Sequence, residues 1–553
     1  MTTPSFVLML HSHLPWVLGH GRWPHGSDWL TEAALDTYLP LVEALRGLEA
    51  DAVPAPVTLG VTPVLANMLA HPDFRTELEA FLAQREQACV EAVPELEAKG
   101  EGHLVPLVRW WAARFAELRA LWEALDGDLI AEFRRLQDAG RLELVSSAAT
   151  HGFLPLLWRD ESIHLQLGLG VAEHRRLFGR APAGCWIPEC AYRPRGPWAP
   201  WPGGPVARER AGIEEYLGVH GYRYFFVDSH LAEAGAPLGL YGEEREPLEP
   251  EGGTFRRSPY VAYRIGARRP DAVNAFVRDP RSSLQVWSRA HGYPGDPAYL
   301  EFHKIRYPGG LKLWRVTGGG AGLGGKQPYD PLAAERTADA HAAHFARLVG
   351  ELGQRERAHA GAVIAVPFDT ELFGHWWAEG PRFLAGVYRG LDPSRVRATT
   401  AGAHLAASPK GPAIRMPSGT WGANGDFSMW ISPVTSWTWQ QLWPLEQRYW
   451  AIARAALAHE AARPVLAQAT RSLLLAQSSD WQFILSTNQV GDYGAKRFRG
   501  HCDDLATFLD CLTGAKPLDF GHFLAEEIAP RDACFPDVLP AVAAALELRG
   551  VTT

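Results

Sequence analysis

The stretch 362-AVIAVPFDTELFGHWWAEG-380 indicates the fold class of this chain. Its apolar start, residues 362–368, has the composition of a buried parallel strand, and apolar residues at helical spacing over 332–359 precede it. Asp369 and Glu371 follow the apolar run directly, and a histidine and two tryptophans come soon after. In parallel α/β barrels the reactive side chains gather where the strands end. The stretch therefore predicts a barrel strand with chemistry at its carboxyl end.

Six more apolar runs have the same character, and each is followed by a polar or aromatic loop. Helical patterns lie between them over 73–98 and 107–139, with breaks expected at Pro94 and Gly127. Strands that alternate with helices predict a parallel sheet, here a closed or nearly closed β/α barrel with insertions. The six further strands are expected at 5–13, 56–63, 142–152, 183–189, 222–230 and 283–288.

The character of the chain changes after residue 400. Residues 401–440 are rich in Gly, Pro, Ser and Trp. Helical patterns follow, and the first is expected to begin at Pro444, which suits the first turn of a helix. We expect helices over 444–463, 464–478, 500–513 and 536–549. The predicted domains are a catalytic barrel over 1–400, with insertions at about 73–139 and 190–220, and a mainly helical domain over 401–553 that completes the cleft.

The bulk composition excludes several classes of protein. A net charge of −8 and a pI near 6.2 argue against nucleic acid or an anionic membrane as the main partner. No window approaches 18 uninterrupted apolar residues, and the N-terminus has no basic region or cleavage site, so neither a membrane span nor a signal peptide is expected. The 6 cysteines form no CxxC pair, which favours a reduced, cytoplasmic protein.

Tryptophan is unusually frequent, with 21 residues in the chain. Indoles fill protein cores, and that is the default explanation for most of them. Several of these, however, stand beside glycines and polar residues. Flat aromatic faces next to hydrogen-bonding groups suit sugar rings, which have apolar faces and hydroxyl-bearing edges.

Carboxylates follow two of the predicted strands. Glu189 ends the run 186-WIPE-189, where Pro188 favours an extended residue before it. Asp369 and Glu371 both follow the 362–368 run, and the residues alone do not decide which of the two is catalytic. Asp480, in 477-QSSDWQF-483, is a third candidate. The expected strand ends together carry His11, His13, His151, Glu189, Asp228, His230, Trp287, Asp369 and Glu371.

A metal site is an alternative interpretation of the histidines. His11, His13, His151 and Asp369 have the ligand chemistry of a Zn²⁺ site in a hydrolase or deacetylase barrel. No supporting acid lies near His13 in sequence, and strand-end histidines also bind sugar hydroxyls. We therefore expect neither a metal nor a cofactor.

Five short motifs in a fixed order resemble those of glycoside hydrolase family 57, and within it the 1,4-α-glucan branching enzymes. The resemblance runs from residue 5 to about residue 490. Any one motif is weakly specific, but five in order are strongly so. The motifs are 11-HSHLPW-16, 150-THGFLP-155, 185-CWIPECAY-192, 366-VPFDTELFGHWW-377 and 478-SSDWQF-483.

The resemblance implies a (β/α)7 barrel, a small inserted domain and a mostly helical C-terminal domain. It implies that Glu189 is the nucleophile and Asp369 the general acid/base of a retaining reaction, and so it favours Asp369 over Glu371. The extension 190-CAYRPRG-196, the loop around Tyr241, and the pair Trp421 and Trp430 are similar to the branching subgroup rather than to the amylases.

The implied activity is cleavage of an α-1,4-glucan and transfer of the segment to a glucan 6-hydroxyl, as in glycogen synthesis. The alternative is an α-amylase or 4-α-glucanotransferase on the same scaffold, and a non-catalytic glucan-binding protein is the rival from another class. A monomer is favoured, although the sequence leaves the oligomeric state open. The expected substrate-binding residues are His11, His13, His151, Tyr241, Trp287, Trp421, Trp430, Asp480 and Trp481.

Overall fold

The structure, a computed structural model, describes residues 3–23, 25–201, 208–235, 257–266, 272–288, 292–318, 320–408 and 410–548. Within those ranges, no helix combines the length and the apolar character needed to cross a membrane. The strands are β1 Ser5–Ser12, β2 Val57–Val61, β3 Leu142–Ser147, β4 Gly184–Trp186, β5 Gly196–Trp198, β6 Arg208–Arg210, β7 Tyr224–Val227, β8 Tyr263–Ile265, β9 Val273–Val277, β10 Val363–Asp369 and β11 Arg397–Ala398.

Seven parallel strands form the main sheet in the order β10-β1-β2-β3-β4-β7-β9. Its two ends meet, because Arg278, just after β9, makes a parallel bridge to Ala365 of β10. The backbone N–H of Asp279 donates to the Ala365 carbonyl at 2.9 Å. This contact closes the seven strands into a ring, and it confirms the predicted α/β class with a parallel sheet.

The inside of the barrel is filled by alternate residues of the strands, as the two-residue period of a strand requires. Val7 and Met9 of β1, Phe226 of β7, Phe276 of β9 and Ala365 of β10 belong to one buried cluster. Two or four positions further along, the same alternating rows reach the carboxyl edge of the barrel. There the apolar residues give way to polar ones, which are His11, Asp228, Arg278 and Asp369.

The prediction of a strand at 283–288 is wrong, because these residues belong to a helix, Pro280–Trp287. Asp279 caps that helix by accepting hydrogen bonds from the backbone N–H groups of Arg281 and Ser282, and Pro280 occupies its first turn. The strand at this place in the sheet is β9, Val273–Val277, which the apolar pattern did not single out.

The helices of the barrel region and its insertions are α1 Ser27–Ala33, α2 Leu39–Ala50, α3 Pro63–Leu69, α4 Pro72–Ala98, α5 Val105–Ala124, α6 Leu129–Asp138, α7 Asp160–Phe178, α8 Ile213–Val219, α9 Pro280–Trp287, α10 Pro331–Glu356, α11 Gly380–Gly390 and α12 Ala401–Ala407. A π-helical turn, Ala34–Tyr38, joins α1 to α2. The expected break at Gly127 lies between α5 and α6. The expected break at Pro94 does not occur: α4 continues through it, and Val90, whose carbonyl loses its helical partner there, is an exposed residue.

The C-terminal part is helical: α13 Ser436–Ala458, α14 Arg463–Ala476, α15 Asp480–Thr487, α16 Tyr493–Leu512, α17 Leu518–Ile528 and α18 Leu539–Glu547. The first of these begins eight residues before the predicted start at Pro444, and Pro444 lies inside it. This part packs directly on the barrel. The Trp443 indole N–H donates to the Leu156 carbonyl at 2.8 Å, and the buried Glu446 carboxylate accepts from the backbone N–H groups of Trp158 and Arg159.

Candidate active site

Glu189 lies in a tight turn at the carboxyl end of β4. The strand itself ends at Trp186, and the turn Pro188–Cys190 carries the carboxylate. Glu189 adopts a left-handed backbone conformation with φ of 60°, which is costly for a residue with a side chain and is typical of functional sites. Trp421 secures this conformation, because its backbone N–H donates to the Glu189 carbonyl at 3.1 Å.

Two donors from the C-terminal part reach the carboxylate of Glu189. The indole N–H of Trp421 donates to Oε2 at 2.9 Å, and the hydroxyl of Ser479 donates to Oε1 at 3.3 Å. Burial raises the pKa of Glu189 to about 7; the Trp421 hydrogen bond opposes this effect, and the charge of Asp369 adds to it. The barrel thus supplies the carboxylate, and the hydrogen bond from the C-terminal part favours its ionised form against burial.

Asp369 is the last residue of β10 and pairs in register with His11 of β1. Burial and the neighbouring charge of Glu371 raise the pKa of Asp369 to about 8, and the guanidinium of Arg278 opposes this shift. The carboxyl group is therefore protonated near neutral pH. A protonated carboxyl beside an ionised one is the pair that acid-assisted cleavage of a glycosidic bond requires.

Glu371 lies behind Asp369 in a short turn, Thr370–Leu372, so the strand does not continue to it. Its Oε1 accepts a hydrogen bond from the Tyr38 hydroxyl at 2.5 Å and another from the His13 backbone N–H at 3.2 Å. Burial raises the pKa of Glu371 to about 7 against these two hydrogen bonds. Glu371 is 7% exposed, so it is less suited than Asp369 to contact a substrate.

Three histidines from motifs one and two stack beside Glu189. The rings of His13 and His151 are 4.0 Å apart, and His11 stacks on Trp186 at 4.6 Å. His151 Nδ1 lies 2.9 Å from the Ser479 hydroxyl and 3.7 Å from Glu189 Oε1. Burial lowers the pKa of His11 and of His151, so both are neutral imidazoles at neutral pH. Neutral imidazoles both donate and accept, which suits sugar hydroxyls.

Asp480 begins α15 and faces this histidine cluster. Its Oδ2 lies 2.9 Å from His13 Nε2, and the Ser478 hydroxyl donates to the same oxygen. Burial alone would raise the pKa of Asp480, but the nearby imidazole of His13 outweighs burial and holds the pKa at about 2. His13, His151 and Asp480 together form a group whose ligand atoms lie within 4.8 Å of one another. Asp369, which the metal interpretation of the sequence included, is not in that group.

The structure brings together most of the predicted site residues but not all of the tryptophans. Trp430 is 1% exposed and stacks on Phe153 in the core at 4.7 Å, and Trp481 is 0% exposed. Both indoles are covered by the protein, so neither has a free face on which a sugar ring could stack. Trp287 ends α9, and no hydrogen bond or ring contact of the described residues joins it to Glu189 or Asp369. Tyr241 lies outside the described residues.

Three site residues were missed by the sequence reasoning. Arg278 is 5% exposed, and its guanidinium lies 5.7 Å from the centre of the Trp421 ring. Arg278 directly follows β9, so a correct prediction of that strand would have placed Arg278 at the mouth of the barrel. Ser479 lies in the fifth motif, directly before Asp480, which the sequence predicted as a site residue. Nothing in the local sequence points to Tyr38, because its contact with Glu371 spans 333 residues.

Comparison with known proteins agrees with this geometry. The family model described as "Glycosyl hydrolase family 57" matches residues 7–400, and a model described as "1,4-alpha-glucan branching enzyme, C-terminal" matches residues 442–542. The chain is 38% identical, over 96% of its own length and 77% of its relative's, to a 1,4-alpha-glucan branching enzyme of Thermococcus kodakarensis.

Solved structures extend the likeness to the whole fold. The crystal structure of that branching enzyme superposes with a TM-score of 0.90 at 37% identity, covering 98% of this chain and 96% of the other. An α-amylase of Thermotoga maritima superposes with a TM-score of 0.80 at 27% identity, covering 98% of this chain and 99% of the other. The chain belongs to glycosyl hydrolase family 57, as its five motifs predicted.

Proposed function

We propose that this protein is a 1,4-α-glucan branching enzyme that works by a retaining double displacement, with Glu189 as nucleophile and Asp369 as general acid/base. The observation that carries the proposal is the buried carboxyl pair at the barrel mouth. Trp421 favours the ionised form of Glu189, and burial and the charge of Glu371 favour the protonated form of Asp369. The matched branching-enzyme region at residues 442–542 supports transfer rather than hydrolysis as the outcome.

In the first displacement Asp369 gives its proton to the glycosidic oxygen while the carboxylate of Glu189 attacks the anomeric carbon. The C–O bond to the leaving glucan breaks, and a covalent glucosyl–enzyme ester forms. Esterification removes the negative charge of Glu189. That loss lowers the proton affinity of Asp369, which is then ionised and ready to act as a base.

In the second displacement the 6-hydroxyl of a glucan acceptor attacks the same anomeric carbon. Asp369 takes the hydroxyl proton, the ester bond to Glu189 breaks, and an α-1,6 linkage forms with retained configuration. His13 and Asp480, whose side chains are 11% and 15% exposed, are placed to bind hydroxyls of the sugar beside the cleaved bond, and the more deeply buried His11 and His151 stack beside them. Trp421, whose indole edge touches Glu189, is the remaining candidate for the aromatic wall of the cleft.

The decisive experiment is incubation of the purified protein with amylose. A branching enzyme lowers iodine staining with few new reducing ends, and the reducing ends appear only after a debranching enzyme is added. Immediate release of reducing ends would instead identify an α-amylase, the activity named for the Thermotoga maritima structure. An unbranched product of altered chain length would identify a 4-α-glucanotransferase.

The catalytic assignment has its own test. Glu189→Gln is isosteric but cannot form the glucosyl ester, so we expect no covalent intermediate by mass spectrometry and a loss of at least about 10³-fold in kcat. Glu371→Gln serves as the matched control, because it removes a neighbouring carboxylate without removing the nucleophile. Full activity of Glu189→Gln would exclude the nucleophile role.

Selection of a sugar hydroxyl over water requires a covered acceptor side. Tyr241 is proposed for that role on the basis of the family resemblance. Tyr241→Ala is expected to raise hydrolysis relative to transfer, measured as reducing ends per branch formed. An unchanged ratio would remove Tyr241 from the proposal.

The remaining proposals concern organisation and location. A domain boundary near residue 400 is supported by the position of β11, the last strand. Insertions at 73–139 and 190–220 are supported by the helices α4 to α6 and by the β5–β6 hairpin. A cytoplasmic location is supported by six buried, unpaired cysteines. We also propose that the protein acts as a monomer and without a metal, so activity is expected to survive EDTA.

A further inference from the structure

Asp228 and His230 follow strand β7 at the mouth of the barrel, and the mechanism above does not use them. Asp228 is fully buried, and its Oδ2 lies 3.5 Å from His230 Nδ1. The other ring nitrogen of His230, Nε2, lies 3.0 Å from the carbonyl oxygen of Gly425. The histidine thus connects a barrel strand to the glycine-rich segment 419–426, here named the tryptophan loop because it carries Trp421.

The tryptophan loop is folded around the same carbonyl group that His230 contacts. The Gly425 oxygen also accepts from the backbone N–H of Thr420 at 3.0 Å, directly before Trp421. His230 and Leu231 approach Gly419 so closely that a Cβ there would lie 3.2 Å from His230 Nε2 and 2.7 Å from the leucine side chain. The loop is therefore fitted to His230 at both of its ends.

The other side of the loop is held on the Glu189 turn. Tyr192 and Gly419 exchange backbone hydrogen bonds at 2.9 and 3.1 Å, and Trp421 donates from its backbone to the Glu189 carbonyl. Those contacts fix the backbone of the loop near its start. Gly425 is joined to this part of the loop by the Thr420 N–H, and among the described residues its hydrogen bond to the barrel is the one from His230.

We propose that His230 is a positioning residue, which holds the tryptophan loop so that the indole N–H of Trp421 stays on the carboxylate of Glu189. The charge of Asp228, 3.5 Å from Nδ1, favours the protonated imidazole, whose Nε2–H donates to the Gly425 carbonyl. Burial lowers the pKa of His230, but Asp228 and the Gly425 carbonyl outweigh burial, and the net shift is upward. Arg278, which faces the same pair, opposes that shift.

The consequence lies in the proton affinity of the nucleophile. The Trp421 hydrogen bond favours the ionised form of Glu189, so its loss raises the pKa of that group. Since Glu189 must be ionised to attack, the acidic limb of the pH profile of kcat/KM moves to higher pH when the loop is released. A residue that only stabilised the fold would lower the amount of active protein without moving that limb.

The test compares five variants on an α-1,4-glucan over a range of pH. His230→Leu removes the hydrogen bond to Gly425 and is expected to lower kcat about 10-fold, the usual worth of one hydrogen bond to a charged group. It is also expected to move the acidic limb up by roughly 0.5–1 unit. His230→Gln keeps an amide donor within reach of Gly425 and should recover most of both losses. Trp421→Phe should show the same limb shift as His230→Leu.

The double variant His230→Leu/Trp421→Phe decides the proposal. If His230 acts through Trp421, the double variant has the limb position of Trp421→Phe alone. Additive shifts, or an unmoved limb in His230→Leu, would overturn the proposal. His404→Leu is the control, because His404 is a buried histidine that contacts Ser5 at the start of β1, away from the cleft. It should leave the limb in place.

The inference rests on the proposed role of Glu189 as nucleophile, and the two can fail separately. Activity in Glu189→Gln would remove the catalytic assignment itself. Inactive Glu189→Gln together with an unmoved limb in His230→Leu would leave the catalytic assignment intact and exclude the positioning role.

Discussion

Two clusters in the described part of the chain have the same composition, two histidines and one aspartate. The cleft cluster is His13, His151 and Asp480, and the interface cluster is His20, His501 and Asp532. In both, the ligand atoms lie within 4.8 Å of one another. The cleft cluster faces the candidate nucleophile, whereas the interface cluster joins the loop after β1 to α16 and to the segment after α17.

The surroundings of the two aspartates differ. The carboxylate of Asp532 is fully buried and accepts from the Arg531 guanidinium at 2.6 Å, and Arg497 lies 3.4 Å from the His501 ring. In the described part of the chain, the only ion pair of Asp480 is with His13, and its side chain is 15% exposed. Residue types alone therefore do not identify a functional cluster. The charge of Asp532 is already neutralised by a fixed cation, and that of Asp480 remains directed to the cleft.

The largest expected effect is on stability, and it comes from a substitution in the interface cluster. Asp532→Asn removes a fully buried charge that pairs with His20 and Arg531, and it is expected to lower the free energy of unfolding by about 3 kcal/mol even though Arg531 keeps its second partner, Asp504. His20 and Arg531 hold the pKa of Asp532 far below its usual range against burial, so wild-type stability present above pH 4 is lost as the pH falls. Denaturant unfolding at pH 7 measures the loss in Asp532→Asn, and unfolding of the wild type at about pH 2, compared with pH 7, measures the pH dependence. Asp532→Asn should keep normal activity per folded molecule.

At the cleft cluster the expected loss is catalytic. Asp480→Asn removes the charge that orients His13 and that binds a substrate hydroxyl in the transition state, so kcat/KM should fall about 100-fold. Asp480→Asn should also lower the free energy of unfolding, because His13 stabilises the ionised carboxylate and holds the pKa of Asp480 at about 2. Activity is therefore measured per folded molecule, by titration with an active-site label. If Asp480→Asn and Asp532→Asn lose activity equally on that scale, the distinction between the clusters is wrong.

In the described part of the chain Asp369 forms no ion pair with an arginine. Its effect on stability should be opposite to that of Asp532. The folded pKa of Asp369, about 8, lies above its unfolded value, so the folded state binds the proton more tightly and loses stability as the pH rises from 4 to 8. Asp369→Asn removes this penalty and should raise the free energy of unfolding by about 2 kcal/mol at pH 8, with no gain at pH 4. Thermal unfolding at the two pH values measures it. A destabilised variant at pH 8 would contradict the raised pKa.

The sequence predicted where the two proposed catalytic carboxylates lie. The apolar run before Asp369 and the motif around Glu189 place both carboxylates at strand ends, because a two-residue period and a buried strand are local properties. Arg278 was missed because β9 is short and the neighbouring helix α9 has an equally apolar pattern. Trp430 and Trp481 were expected at the cleft, yet both are buried in the core. Composition shows that a tryptophan is present but not which of its faces is covered.

Long-range contacts account for the remaining differences. Tyr38 reaches Glu371 from a π-helical turn, and Ser479 reaches Glu189 across 290 residues. No local pattern encodes such pairs, since they depend on how the loops after β1 and α14 pack on the barrel. The interface cluster is of the same kind, because His20 and Asp532 are 512 residues apart.

Glu371 is a buried carboxylate whose Oε1 accepts from two neutral donors, the Tyr38 hydroxyl and the His13 backbone N–H. Its charge raises the pKa of Asp369, after burial the largest contribution to that shift. Glu371→Gln should therefore lower the pKa of Asp369 and move the basic limb of kcat/KM to lower pH by about one unit. Tyr38→Phe is the graded comparison: it removes a donor that lowers the pKa of Glu371, so it reduces the charge of Glu371 only in part and should move the basic limb in the same direction by less. If Glu371→Gln lowered kcat without moving the basic limb, Glu371 would act on geometry rather than on the acid.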